Sequence, residues 1–508
     1  MRKRTLSRRA LIGASGTVGT VAIAGCLGSD ETTDTFRVGS PWTPDSLDPL
    51  TAGSFLKRIG ITETLASTNY DTEVAPGLAA SWETDDAITW TFDLESDVTF
   101  HDGSILDADV VTASLRRVVD SSELSEVPIS EVDPVADDRV EIELERPFAP
   151  LPAHLTRPET AIVRPDSIDG EEVVEPIATG PFAFDSWTPE TSVTAVKHDD
   201  YHGTEPTLET VVYEGIHEAE TRLLNLQNGD LDMARLLSPS QIETLEADDD
   251  LTAHTYPIPR SRYVVFDVDS EPFDDVRVRR AVLHAIDREE LTETVLEGVT
   301  DVARGPFPES VTHWANEGLE PYDHDPDTAT ALLSDAAWEL DDDVRERDGT
   351  SVSIDLWTYS SRPVLPQIAT VLQDQLGAVG IDVDVTTMET GAITERTQTE
   401  DFDAFIWSNS VLWYPDPDRL ADFFHSTEQV MHSGYDNAEV DRLLETARET
   451  LDPDERKRLY DEVQTITHEE LPIAFLTDYT NVHGLAANVE GYDPHPIEST
   501  YGLQHVTT

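Results

Sequence analysis

The stretch from Val352 to Val385 constrains the fold more than any other part of this 508-residue chain. Val352–Trp357 reads as a strand, Leu365–Ala378 repeats its apolar residues at helical spacing, and Ile381–Val385 resumes as a strand after Gly380. Strand, helix and strand in that order make a βαβ unit, and such a unit commits its strands to a parallel sheet. The expectation is an α/β body.

Other segments fill in the layout. Ile88, Trp90, Phe92 and Leu94 alternate with polar residues, as do Val140, Ile142 and Leu144, so both stretches read as half-buried strands. Ala108–Val119 lies between them with helical periodicity, which makes this region a compact α+β unit. Asp325-Pro326 before Thr328–Trp338, and Asp452-Pro453 before Asp454–Glu469, each put a capping acid ahead of a proline at the first helical position. A chain of this length exceeds one ordinary core, so two or three lobes are expected. No solenoid-length repeat or low-complexity linker separates them. The sequence therefore predicts lobes joined by short strands, an arrangement that hinges.

Charge bounds the setting. Asp and Glu number 102 against 34 Lys and Arg, for a net charge of -68, and the acids are spread along the chain. Lysine is confined to Lys3, Lys57, Lys197 and Lys457, so nearly every cation is arginine. Hydrophobic residues at 38% and nine tryptophans supply real cores, which excludes a long acidic disordered tail. Repulsion among so many acids opposes compaction in dilute buffer, but in molar salt the Debye length falls to about 3 Å and most of the repulsion is screened. The composition points to a hypersaline environment; an acidic surface that binds cations or basic partners is the other reading. Nucleic acid is excluded as a partner, because a phosphate backbone needs basic patches.

The N-terminus reverses the composition. Residues 1–25 carry Arg2, Lys3, Arg4, Arg8 and Arg9 and no acid. Ser7-Arg8-Arg9-Ala10-Leu11-Ile12 has the pattern of a twin-arginine export signal, and the apolar run from Ala10 to Gly25 is too short for a comfortable membrane span. Ile23-Ala24-Gly25-Cys26 resembles a lipobox, with Cys26 the lipid-accepting thiol. It is also the sole cysteine, so no disulfide forms within the chain. Residues 26–34 read as a flexible tether. The body is thus expected on the extracellular face of the cell membrane, held by a lipid anchor.

Enzymatic readings find no support. His468-Glu469-Glu470-Leu471 begins like a zinc-peptidase helix, but the second histidine would have to stand at Pro472. The mature chain has no cysteine pair, P-loop or Gly-x-Ser-x-Gly elbow. His101-Asp102 before Gly103 reads as a strand-end turn. With 102 acids, pairs of carboxylates carry no signal. No catalytic residue, cofactor or resident metal is expected.

Several segments, in order, resemble the peptide/nickel family of ABC-importer extracellular solute-binding proteins, family 5 type, in a haloarchaeal-like lipoprotein. They are Pro76–Trp82 running into Thr89–Leu94 and Val98–Gly103; Ala178–Phe182; Glu220–Arg222 with Leu226–Asp232; and Pro272–Ala281 ending in Ala285–Arg288. The resemblance implies a two-lobed, periplasmic-binding-protein type II-like α/β fold with an additional small α+β subdomain. In that layout residues 35–66, 178–267 and 476–508 form lobe I, residues 67–177 the inserted subdomain, and residues 268–475 lobe II. It implies closure of the lobes on a ligand, delivery to the permease subunits of an ABC importer, and a monomer. The ligand is a short peptide, di- or oligopeptide, or else a nickel chelate; a secreted hydrolase or a sensor that feeds no transporter are readings of another class.

The resemblance also nominates site residues. Arg157 falls where the nickel-binding branch places an arginine that grips a ligand carboxylate, a task suited to a guanidinium fork. Trp407 and Trp413-Tyr414-Pro415-Asp416-Pro417-Asp418 fall in a segment that lines the second wall of the cleft, where aromatic faces pack on ligand. The peptide-binding branch has an aspartate for the ligand ammonium at the position of Ser410. Asp416 or Asp418 could take that role, while Tyr359-Ser360-Ser361-Arg362-Pro363 leans toward the nickel-like branch.

Overall fold

The βαβ unit forms one edge of a ten-stranded mixed sheet. The computed structural model describes residues 35–51, 54–362, 364–399 and 402–508. The export signal read at residues 1–25 with Arg8 and Arg9, Cys26, and the tether read at 26–34 lie outside the described residues. The strands of the unit are Ser353–Tyr359 and Asp382–Met388, paired in parallel. Both run past the apolar pattern, because ladder pairing continues through Thr358 and Tyr359 and through Thr386 to Met388. The helix between them, Val364–Ala378, buries Leu365, Ile368, Ala369, Leu372 and Leu376 on one face.

Across the sheet the order is Phe182–Thr188, Ser192–Lys197, Thr210–Gly215, Thr35–Ser40, Met233–Ala234, Ile473–Ala486, Leu251–Phe266, Ala404–Ser410, Ser353–Tyr359 and Asp382–Met388. Two of these strands differ from expectation. Instead of short connections, Leu251–Phe266 and Ile473–Ala486 are 16 and 14 residues long and run antiparallel through the middle of the sheet. Their register slips between Ile258 and Ser261. Pro259 stands inside that slip, where its missing N–H breaks no ladder bond.

Burial follows the sequence pattern closely. On one half of the sheet Phe36, Val38, Val211, Tyr213 and Met233 form a core; on the other, Tyr263, Val265, Leu356, Leu372 and Phe405 belong to a larger one. A third core fills a separate four-stranded antiparallel sheet, ordered Ala79–Glu83, Thr89–Leu94, Arg139–Leu144, Ile129–Ala136, beneath the helix Ala108–Val119. Trp90, Phe92, Leu94, Val140, Ile142 and Leu144 all point into it, as their alternation requires, whereas Ile88 lies in the bend just before the strand and is only half-buried. Both proline-led helices start as expected: Asp325 accepts from Thr328 N at 2.9 Å and Asp452 from Glu455 N at 2.9 Å. The first ends at Asp335, short of Trp338, because Ala337 turns out at φ 66 and Trp338 N bonds back to Leu333 O at 2.9 Å.

Ten arginines are buried among the described residues. Several act as pins between loops. Arg222 donates to the carbonyls of Ile216, His217, Arg235 and Leu236, and Arg288 to those of Ala303, Tyr322 and Phe475. The five donors of a planar guanidinium suit this work.

Gly180 explains one of the family-like blocks. Its carbonyl accepts from His101 Nε2 at 3.1 Å and from His198 Nδ1 at 3.1 Å. Ala178 N donates to His101 Nδ1 at 3.3 Å, which leaves the proton of that ring on Nε2. A Cβ at Gly180 would meet Gly60 O at 2.2 Å and Ile61 O at 2.6 Å, both backbone atoms with no room to yield. Gly180→Ala is therefore expected to lower unfolding stability by about 3 kcal/mol, read from denaturant midpoints in molar KCl. Gly103→Ala faces no atom within 4 Å and meets only the strain of φ +80, about 1 kcal/mol; equal losses in the two variants would refute the close-approach argument.

Candidate functional site

The residues nominated from the sequence divide into two groups. Arg157, Tyr414 and Asp418 come together around His154. This histidine is fully buried, its ring lies 4.1 Å from that of Tyr414, and its Nε2 is 3.5 Å from Asp418 Oδ2. Neither ring nitrogen has a hydrogen-bond partner among the described residues. Arg157 donates to Glu126 Oε1, to Glu123 O at 2.7 Å and to Glu159 Oε2 at 3.4 Å. Each of its three nitrogens thus already has an acceptor within the chain.

The same holds for the two aspartates offered to a ligand ammonium. Asp416 receives both terminal nitrogens of Arg456 at 2.9 Å each, and also caps the turn at Pro417–Leu420 by accepting from Asp418 N. Asp418 accepts from Arg448 Nε at 2.5 Å. Burial would raise the Asp418 carboxyl, but Arg448 and His154 outweigh it and hold it well below the ordinary carboxylate range. Neither carboxylate is a free acceptor. Proline at positions 415 and 417 turns the chain so that both acids point inward, toward arginines of the helices Ala438–Glu449 and Pro453–Glu470.

Trp407 stands elsewhere, half-buried on the strand Ala404–Ser410 with its ring 4.6 Å from Tyr359. Trp413 is half-buried too. Beside Tyr359 the structure assembles a cluster of which the sequence singled out only Tyr359 and Arg362, as a feature of the nickel-like branch. Arg260 and Arg262 come from the long strand at its register slip, and Arg362 follows the C-terminal end of Ser353–Tyr359, where open α/β sheets bind their ligands. All three guanidiniums face Tyr479, at 5.6, 4.2 and 5.4 Å from its ring centre, and Arg362 donates to its hydroxyl at 3.0 Å. Burial opposes ionisation of Tyr479, yet Arg362, Arg262 and Arg260 together hold its hydroxyl below the usual tyrosine value.

Glu498 completes the site from the C-terminal return of the chain. Its carboxylate accepts from the fully buried Arg235 at 2.9 Å and its carbonyl from Arg58 Nε at 2.9 Å. Those two anchors hold the residue at φ 44, a left-handed conformation that costs about 1 kcal/mol. Arg58 and Arg235 also flank the exposed ring of Trp42, at 4.7 and 5.7 Å. Arginine forks beside aromatic faces at a strand end can hold a small anionic solute by bidentate bonds and stacking. One signal for the cluster was available in the sequence: Leu251–Phe266 contains no acid, although acids are plentiful on either side. Tyr479 and Glu498 carry no local mark, since only the chain's return brings them in.

The chain is similar to known proteins over most of its length. Residues 73–431 match the family described as bacterial extracellular solute-binding proteins, family 5 Middle. The chain is 28% identical over 469 residues to the dipeptide-binding protein of Escherichia coli, covering 84% of this chain and 85% of the relative. It is 27% identical over 511 residues to the glutathione-binding protein GsiB of Pectobacterium atrosepticum, covering 96% of each. Its structure is similar to that of NikA from Brucella suis in complex with Fe(III)-EDTA, with a TM-score of 0.86, 25% identity, and coverage of 93% of this chain and 99% of the other.

Asp418→Asn leaves Arg448 with a weaker partner in the interior and is expected to cost about 3–5 kcal/mol at neutral pH. Because the folded-state pKa of Asp418 is depressed, its contribution is present above the unfolded value and is lost as pH falls through the folded one. Urea midpoints of wild type and variant should thus stay apart down to strongly acidic pH; convergence near pH 5 would contradict the assignment.

Proposed function

Because the chain belongs to the family 5 extracellular solute-binding proteins, non-catalytic receptors of ABC importers, we propose that it captures short peptides, di- and oligopeptides, and hands them to the permease subunits of its importer. The observation that carries this reading is the convergence of Arg260, Arg262 and Arg362 on Tyr479 beside Trp407. In this reading the guanidiniums hold a terminal carboxylate, and Trp407 with Trp413 supplies the aromatic wall. Arg157, Tyr414, Asp416 and Asp418 act in closure: residues 148–157 meet residues 414–448 there, and Ala149 N donates to Arg448 O at 2.6 Å.

The moving parts in this proposal are lobe I at residues 35–66, 178–267 and 476–508, the subdomain at 67–177 and lobe II at 268–475. The three core clusters follow that partition except at its borders, where Tyr263–Phe266 and Leu476 pack in the core of lobe II and Leu65 and Ala66 in that of the subdomain, and the two long strands that cross between the halves of the sheet supply the hinge. A solute gripped from both sides favours the closed state by its differential affinity.

A nickel chelate is the second reading. It is favoured by the likeness to NikA in complex with Fe(III)-EDTA and by Ser410, which brings no carboxylate to meet an ammonium group. The N-terminal pattern supports export through a twin-arginine signal with Arg8 and Arg9 and attachment through lipid on Cys26, and the acidic composition supports life in concentrated salt. Among the described residues no helix is long and apolar enough to cross a membrane.

Thermal unfolding in molar KCl tests the cargo. A bound ligand at one hundred times its Kd adds about 2.7 kcal/mol of stability, so a raised midpoint with di- to pentapeptides supports the peptide reading, and one that requires nickel with histidine supports the chelate. Trp407→Ala is expected to reduce the shift while leaving the ligand-free midpoint within a few degrees. Replacing Cys26 with Ala is expected to move the exported protein from the membrane fraction to the medium, followed by immunoblot; retention on the membrane would exclude the lipid anchor.

A further inference from the structure

The arginine cluster carries a charge argument that rests on the receptor reading and narrows it. Arg260, Arg262 and Arg362 give their hydrogen bonds to neutral acceptors: Ser408 O, Thr477 Oγ1, Asp478 O and the Tyr479 hydroxyl. The ladder partners of Arg260 and Arg262 are Ser410 and Ser408, which bring no charge. Among the described residues none of the three guanidiniums has a carboxylate within ion-pairing distance.

Two acids lie in the neighbourhood. Glu498 is paired with Arg235 and is shared electrostatically with Arg58, Arg260 and Arg362. The side chain of Asp478 is pushed up to about 7 by burial and by Asp301 and Glu309, so it offers Arg262 only part of a charge near neutrality. Arg58, Arg235, Arg260, Arg262 and Arg362 therefore outnumber their resident counter-charges. Burial and the neighbouring Arg362 push Arg260 down to about 10, as burial does the structural Arg222 and Arg288, so what sets the cluster apart is the convergence of three guanidiniums on one ring. Scarcity of acid does not explain the imbalance, since the chain has 102 acidic residues. Guanidiniums gathered this closely without a carboxylate repel one another, and an anionic ligand relieves that repulsion.

We propose that the solute is a polyanion that brings at least two carboxylates to Arg260, Arg262 and Arg362. An acidic peptide and a polycarboxylate, free or as a metal chelate, are two sources of that chemistry. One carboxylate fits the forks of Arg260 and Arg362, and the second meets Arg262 or the partly neutralised Arg235 side of the cluster. Glu498 sets the lower limit on charge, because it already satisfies one guanidinium.

The test is calorimetric titration of the purified protein in molar KCl with Ala-Ala, with Glu-Glu, and with propane-1,2,3-tricarboxylate in the presence and absence of nickel. At least one acidic probe is expected to bind about tenfold or more tighter than Ala-Ala, and the tighter one identifies the source of the carboxylates. Arg260→Gln should weaken the acidic probe by about tenfold while the ligand-free thermal midpoint holds or rises, because one of the mutually repelling charges is gone; Arg362→Gln provides the same comparison from the other wall. Binding of Ala-Ala within threefold of every acidic probe would overturn the polyanion rule and leave the receptor reading standing. Failure of all probes to bind would overturn both. A fall of several degrees in the midpoint of ligand-free Arg260→Gln, with relative affinities unchanged, would show that the arginine is structural and overturn the proposal.

Discussion

The structure depends on where a very acidic chain places its few cations. A guanidinium removed from water is costly unless its donors are met and its charge is matched. In this protein most buried arginines have their donors met within the chain, and several, Arg448 and Arg456 among them, have their charge matched as well. Arg222, Arg279, Arg288 and Arg345 donate to clusters of backbone carbonyls, and Arg448 and Arg456 to the aspartates of the 414–418 turn. Each such contact ties together segments far apart in sequence. Arg288 alone joins the loops around Ala303 and Tyr322 to the strand Ile473–Ala486.

Against that background Arg260, Arg262 and Arg362 stand out, because three guanidiniums without a carboxylate partner gather around one ring and each bonds through a single terminal nitrogen. The rest of the fold brings them together: a register slip re-aims Arg260, a parallel strand ends at Arg362, and the antiparallel return supplies Tyr479. Positive potential inside a protein of net charge -68 is also a local property. Screening by concentrated salt weakens the field of the acidic surface far more than interactions within a half-buried site, so an anionic solute can be held inside a strongly anionic protein.

The contact of residues 148–157 with residues 414–448 has a different character. Phe148 and His154 on one side meet Arg448 and Tyr414 on the other, with the Arg448 guanidinium 5.9 Å from the Phe148 ring and the His154 ring 4.1 Å from that of Tyr414, while Arg157 and Arg448 each keep an ion pair within their own side. Such a surface supplies geometry and exclusion of water, whereas the arginine cluster supplies unsatisfied charge.

Local patterning determined much of the fold. Alternation at residues 88–94 and 140–144, helical spacing at 108–119 and 365–378, and aspartate-proline starts at 325 and 452 each depend on neighbours within a turn or a strand, so they were legible from sequence. The ordered family-like blocks added the two-walled class of receptor. Tertiary structure decided what the candidate side chains do. Arg157, Asp416 and Asp418 have the right chemistry for a ligand, and the fold gives them partners from helices and loops 30 or more residues away. Arg260 lies more than 200 residues from Tyr479 and Glu498 and is brought beside them only because the last strand returns along the long one. Pairing of charges across such distances is a property of the folded chain, since a residue type fixes what a side chain can bind and only three-dimensional neighbours fix whether it is already bound.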